Sequence, residues 1–234
     1  MRIGIVPVPV LLSHETGIET KWVDLPGCSR DNYTVDMDYN ASNGQLVLQR
    51  LNRLQNTLHV YSVDPSSLCL SVLHTETDSC WVDMRFQHMN WIHDGRDFFY
   101  FSERNGWRQL FVLSRDGLFD AVAITPVGFD VESFCGYDTT GTTGSGSVNG
   151  GIVYYTASPH DPIRRYLYSS VIDVSAGGVI SVQDPYMVTP DSAAHVGTNG
   201  YSLSADATYA VHSYSSSQHP TATCIVSLPD HKVV

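Results

Sequence analysis

Residues Trp91 to Gly117, WIHDGRDFFYFSERNGWRQLFVLSRDG, decide the fold. His93-Asp94-Gly95 carries turn chemistry, because an Asp side chain bonds its own backbone and Gly tolerates positive φ. Phe98-Phe99-Tyr100-Phe101 is a short aromatic run that suits a strand buried on both faces. Asn105-Gly106 is a hairpin signal. Leu110 to Leu113 reads as the returning strand, and Asp116-Gly117 as the turn that follows it.

The unit recurs. Leu46 to Gln49 is followed by His59 to Asp64, Phe98 to Phe101 by Phe111 to Ser114, Ile152 to Tyr155 by Tyr166 to Ser169, and Tyr209 to His212 by Cys224 to Ser227. The offset is about 13 to 15 residues within a pair and about 50 to 60 between pairs, the signature of a repeat architecture. A repeat built only of strands favours a β-propeller blade over a helical solenoid. A β-sandwich of regular hairpins is the other architecture that the pattern alone allows.

With 234 residues, 42% of them hydrophobic and only 16% charged, the chain suits one strand-rich folded domain with a sizeable core. Thirteen Lys and Arg stand against 24 Asp and Glu, a net charge of −11. Such a surface repels phosphate backbones, so nucleic acid is not an expected partner. No apolar run approaches the length of a membrane span. Met1 to Val6 lacks the apolar region and cleavage site of a signal peptide and reads as a strand that begins at once, as in a chain cut from something longer. The cysteines, Cys28, Cys69, Cys80, Cys135 and Cys224, form no CxxC pair and are odd in number. Cys69 and Cys80 flank a strand end and are candidates for a bridge; buried free thiols are the expectation.

Along the chain, Ile3 to Leu12 and Thr20 to Val23 read as strands. Tyr33 to Tyr39 alternates polar and apolar residues, as a strand with one wet face does. Trp81-Val82-Asp83-Met84 opens the third repeat, which ends near Phe119 to Thr125. The fourth runs from about Phe129 to Thr189 and carries a Gly-rich insertion, Asp138 to Gly151. The fifth, from Asp191 to Val234, has room for three strands with a fourth only beginning. The expectation is all-β: a partial, open β-propeller of about four to five four-stranded antiparallel blades, forming a single domain over residues 1–234.

Four features are candidates for chemistry. The Gly-rich insertion lacks the Gly-Lys-Ser/Thr ending of a phosphate-binding loop and reads as a flexible connection. The histidines show no HExxH and no paired ligand spacing; His212 and His219 flank a Ser-rich turn and read as structural, so neither metal nor cofactor is expected. No Gly-x-Ser-x-Gly nucleophile elbow occurs, so no catalytic residue is assigned. In WVDMRF, Trp81 to Phe86, Arg85 offers a fork to a carbonyl or carboxylate, and Phe86 offers a wall to an apolar pocket. The bland alternative leaves Arg85 solvated and Trp81 packed between blades.

Several segments together resemble one family. QRLNRLQN (Gln49 to Asn56), WVDM at Trp81, SERNGWRQLF (Ser102 to Phe111), VYYTASPHDPIRRYLY (Val153 to Tyr168), HSYSSSQHPTATCIVSLPDHKVV (His212 to Val234) and TKWVDLPG (Thr20 to Gly27) are similar to the propeller of dipeptidyl peptidase IV-like serine peptidases. The resemblance implies an eight-bladed propeller joined to a C-terminal α/β-hydrolase domain. It also implies release of X-Pro or X-Ala dipeptides from free peptide N-termini by Ser-His-Asp acyl transfer. This chain would correspond to about the second half of the propeller, inert alone and without the family's paired glutamates. The carry-over of substrate-facing positions falls on Asp83, Arg85 and Phe86, although WVDMRF departs from the family here. Glu103 and Arg104 match a structural ion pair. Periplasmic or secreted location, peptide N-termini and the absent hydrolase domain as partners, and a homodimer of the full-length enzyme complete the expectations. A free-standing propeller that binds peptide or glycan is the alternative.

Overall fold

The computed structural model describes residues 2–6, 19–84, 89–139, 150–174, 179–190 and 197–234. The chain divides into two compact units, Met1–Phe98 with Arg115–Gly117, and Phe99–Ser114 with Leu118–Val234. Among the described residues every regular element is a strand, and no sheet closes on itself.

A short pair, β1 (Gly4–Ile5) and β2 (Lys21–Trp22), comes first. Next come β3 (Asn32–Asn40), β4 (Gln45–Asn52), β5 (Thr57–Val63) and β6 (Leu70–Thr77), an antiparallel meander in sequence order. The organising stretch supplies β7 (Asn90–Ile92), β8 (Asp97–Ser102) and β9 (Gln109–Ser114), and β10 (Val122–Ala123) completes that sheet. The fourth repeat gives β11 (Val131–Asp138), β12 (Gly151–Ala157) and β13 (Tyr166–Val174). Its outer position is split between β14 (Ile180–Val182) and β15 (Tyr186–Met187), which both pair with β13 on either side of Asp184-Pro185. Proline cannot donate to a ladder, so the split falls there. The last sheet is β16 (Thr198–Leu203), β17 (Tyr209–Ser216), β18 (His219–Ser227) and the two-residue β19 (Lys232–Val233). The fold is all-β and built of propeller-type blades.

The organising stretch behaves as its residue types dictate. His93, Asp94 and Gly95 all have positive φ (50°, 55° and 74°), and Gly106 turns the hairpin at 82°. Phe98, Phe99 and Tyr100 are buried. The middle strands of the β3–β6 and β11–β15 sheets are equally dry. Leu48, Leu58, Val60, Val153, Tyr154, Tyr155 and Leu167 expose essentially nothing. In the first unit Ile3, Val23, Leu48, Tyr61 and Val63 form one core cluster. In the second, Tyr154, Leu167, Val188 and Ala207 form another, closed by Cys135, Tyr201 and Leu203.

Several expectations are corrected. Trp81 to Met84 is not a strand, and Trp81 is exposed rather than packed between blades. Its backbone donors are spent locally: Asp78 Oδ1 accepts from the N–H groups of Cys80 and Trp81, and the Val82 N–H donates to the Gln55 carbonyl at 2.7 Å. The third sheet therefore opens with β7. The five cysteines are free, but Cys28, Cys69 and Cys80 are exposed, and only Cys135 and Cys224 are half-buried. Cys28 opens the turn to Asp31, Cys80 lies in a bend after β6, and Cys69 precedes β6. The alternation in β3 is real, but its wet face is the apolar one: Tyr33, Val35, Met37 and Tyr39 are exposed. Asp36 and Asp38 turn to the half-buried side, where Asp36 receives the Gln49 amide. The expected strand from Ile3 is described only over Gly4–Ile5, residues 7–18 lying outside the described residues, as do 140–149 of the Gly-rich insertion.

Candidate functional site

The segment singled out for substrate contact leaves the first four-stranded sheet at β6 and runs past the β4–β5 turn, within the first unit. That turn is the NRLQN motif. Asn52 Oδ1 accepts from the backbone N–H groups of Asn56 (3.0 Å) and Thr57 (3.1 Å), while its amide nitrogen donates to Asn56 Oδ1 at 2.7 Å. Gln55 takes a φ of 60°, which aims its carbonyl at the Val82 N–H. The motif thus has a structural meaning: one asparagine satisfies a tight hairpin, and the hairpin anchors the following linker. Val82 is buried, and Asp83, the next residue, is half-buried and engaged. Arg85 and Phe86 lie outside the described residues, 85–88 being among those left out. Of the three expected contact residues, the structure therefore places Asp83 alone, beside the β4–β5 turn.

The second motif, SERNGW, is built by the same logic in the second unit. Asn105 Nδ2 donates to Gln109 Oε1 at 2.9 Å across the β8–β9 hairpin, as Asn52 does to Asn56. Ser102 Oγ accepts from the backbone N–H and the Nε of Arg104, whose guanidinium lies 4.8 Å from the Phe111 ring centre. Arg108 sits 4.0 Å over Phe101, and its N–H meets Asp130 Oδ1 at 2.8 Å. Arg104 holds the turn against its own strands and Arg108 ties it to the start of β11, so the family-like motif marks a blade hairpin rather than a reacting group.

Sequence reading passed over a cleft in the first unit. Asn43, Gln45, Ser71, Arg115 and Asp116 line a cavity of about 540 Å³. Arg115 grips Asp116 through two bonds of 2.9 and 2.8 Å and donates to the Gly95 carbonyl at 3.2 Å. The Arg115 fork holds the Asp116 carboxyl below the usual carboxylate range. The signal was Ser-Arg-Asp-Gly, read only as a turn. His212 and His219 are not brought together: His212 is buried in β17 opposite Cys224, and His219 is exposed at the start of β18. Among the described residues no group of three or more His, Cys, Asp or Glu side chains is arranged to hold a metal ion.

Comparison with known proteins accounts for the blades and the motif turns. Residues 6–221 match the dipeptidyl peptidase IV (DPP IV) N-terminal region. The crystal structure of Porphyromonas gingivalis dipeptidyl peptidase 4 superposes with a TM-score of 0.72 at 26% identity, over 92% of this chain and 27% of that one. A Bacteroides ovatus protein described as a dipeptidyl aminopeptidase IV superposes with a TM-score of 0.67 at 15% identity, over 100% of this chain and 36% of that one, a likeness of fold. The chain thus spans about a quarter to a third of the length of these structures. A profile match over nearly the whole sequence, on sheets whose hairpins are the motif segments, makes this chain a member of the dipeptidyl peptidase IV N-terminal region family.

Proposed function

We propose that this chain is the substrate-admitting propeller portion of a serine-type dipeptidyl peptidase, which removes X-Pro or X-Ala dipeptides and works in the periplasm or outside the cell. The observation that carries the reading is the match of residues 6–221 to the N-terminal region of that family. The sequence supports a division of labour, because it contains no Gly-x-Ser-x-Gly elbow. Acyl transfer then falls to an α/β-hydrolase domain, and the propeller selects and holds peptide N-termini.

Asp83, Arg85 and Phe86 are the proposed contacts. A carboxylate attracts an α-ammonium group, a guanidinium donates paired bonds to a peptide carbonyl, and a phenyl ring walls the chain without demanding charge. In an enzyme that carries this propeller with its hydrolase domain, Arg85→Ala is expected to weaken peptide binding by about 1.5–3 kcal/mol. The loss should appear in KM more than in kcat, because the contact is remote from the scissile bond. An unchanged KM for Gly-Pro and Ala-Pro substrates removes Arg85 from the site.

A further inference from the structure

The last sheet holds an arrangement that the peptidase reading does not use. Strand register places Tyr201, His212 and Cys224 side by side in one row across β16, β17 and β18. Directly opposed residues of an antiparallel pair share a face, so the backbone itself brings the imidazole to the thiol. His212 Nδ1 lies 4.0 Å from Cys224 Sγ, and His212 Nε2 lies 2.8 Å from Asn199 Oδ1.

The proton positions follow from the partners. Asn199 Nδ2 donates to the Arg165 carbonyl at 2.8 Å, which fixes the amide and leaves Oδ1 facing the ring. An amide oxygen only accepts, so a neutral His212 carries its proton on Nε2. Nδ1 is then a lone pair directed at the sulfur. The Tyr201 ring stacks on His212 at 4.4 Å with planes 2° apart, and His231 packs edge-on against both rings, 4.9 Å from His212 and 5.8 Å from Tyr201. The imidazole is held in plane and tautomer, and Cys224 stays partly exposed. A thiol, a base within reach and a third group that orients the base form the arrangement of an activated sulfur nucleophile.

We propose that Cys224 is a thiol–disulfide exchange site that takes low-molecular-weight disulfides. In the step, the Cys224 proton passes to His212 Nδ1 as sulfur attacks one sulfur of the incoming disulfide. A Cys224–S–S–R bond forms, the original S–S bond breaks, and the departing thiolate recovers the proton from His212. No other oxidant is consumed.

Cys135 is the internal control. It is half-buried like Cys224, but its sulfur neighbours the Ser133 hydroxyl, and burial pushes its thiol up to about 11. The test exposes the purified chain to 2-hydroxyethyl disulfide at pH 7 and follows each cysteine-containing peptide by mass spectrometry. Cys224 is expected to form the mixed disulfide at least about tenfold faster than Cys135, a modest share of what a positioned base supplies. His212→Gln, checked for native circular dichroism, should remove that advantage. Equal rates for Cys224 and Cys135 in the unmodified chain overturn the proposal whether or not the variant folds. So does a folded His212→Gln chain that keeps the fast phase.

Discussion

The hairpins β12–β13 and β17–β18 arise from similar sequence patterns within one unit, yet they end in different environments. In the first, Val153, Tyr154, Tyr155 and Leu167 are wholly buried. In the second, Ala210, His212 and Val226 point inward, while Tyr209, Val211 and Ile225 are 49%, 46% and 52% exposed. Val211 and Ile225 are direct cross-strand partners, so the outward face carries an opposed apolar pair. The first four-stranded sheet repeats the contrast by itself, with dry β4 and β5 beside the exposed apolar row of β3. An apolar strand pattern therefore states which faces are suited to cover, not which ones are covered. Each uncovered row forgoes roughly 25 cal/mol per Å² of apolar area.

The contrast breaks most visibly through truncation. Leu167→Ala should cost about 2–5 kcal/mol in denaturant unfolding, the range for deleting a buried leucine side chain. Ile225→Ala on the outward face should stay within about 0.5 kcal/mol. Comparable losses at both positions would mean that the β18 face is covered in solution. Glycines separate close packing from backbone conformation. Gly197 has a φ of 146°, and an added Cβ would collide with the Ser215 carbonyl, whereas Gly106 at 82° has open space around it. Gly197→Ala should cost about 1–3 kcal/mol or more, and Gly106→Ala about 1 kcal/mol, read from the same unfolding curves.

The buried hairpin should also show itself in alkali. Burial pushes the Tyr154, Tyr155 and Tyr168 hydroxyls up to about 12 from an ordinary 10. A phenol whose folded value is raised contributes stability that is complete below pH 10 and is lost as pH climbs through 12. Spectrophotometric titration should therefore show a late tyrosine class whose ionisation coincides with unfolding. Tyr154→Phe removes a buried hydroxyl that has no hydrogen-bond partner among the described residues and should leave neutral-pH stability unchanged or slightly higher. The smallest expected effect concerns association. Val211→Lys with Ile225→Lys should reduce concentration-dependent self-association in sedimentation without lowering the melting temperature.

Much of the fold was legible because the local chemistry is explicit. Asn105-Gly106, His93-Asp94-Gly95 and the aromatic run at Phe98 each dictate one backbone outcome. Trp81 to Met84 was misread because Trp-Val-Asp-Met, apolar at three of four positions, resembles a strand, while Asp78, which captures its donors, lies outside the pattern. The wet face of β3 was not legible, because alternation gives period but not direction. The Cys224–His212 pair was hidden for a different reason. Twelve positions separate the two residues, and only the β17–β18 register brings them together. In the same way, the Arg115 cleft is assembled with Gln45 and Ser71 from other strands.

The central proposal is that these blades serve a dipeptidyl peptidase but carry no peptide-bond-cleaving chemistry of their own. Hydrolysis of Gly-Pro-p-nitroanilide by the purified chain tests it most directly. The expected rate equals the blank at any protein concentration, with or without a serine-directed phosphonate. Turnover above the blank that the phosphonate abolishes would contradict the division of labour and place a serine nucleophile within these 234 residues.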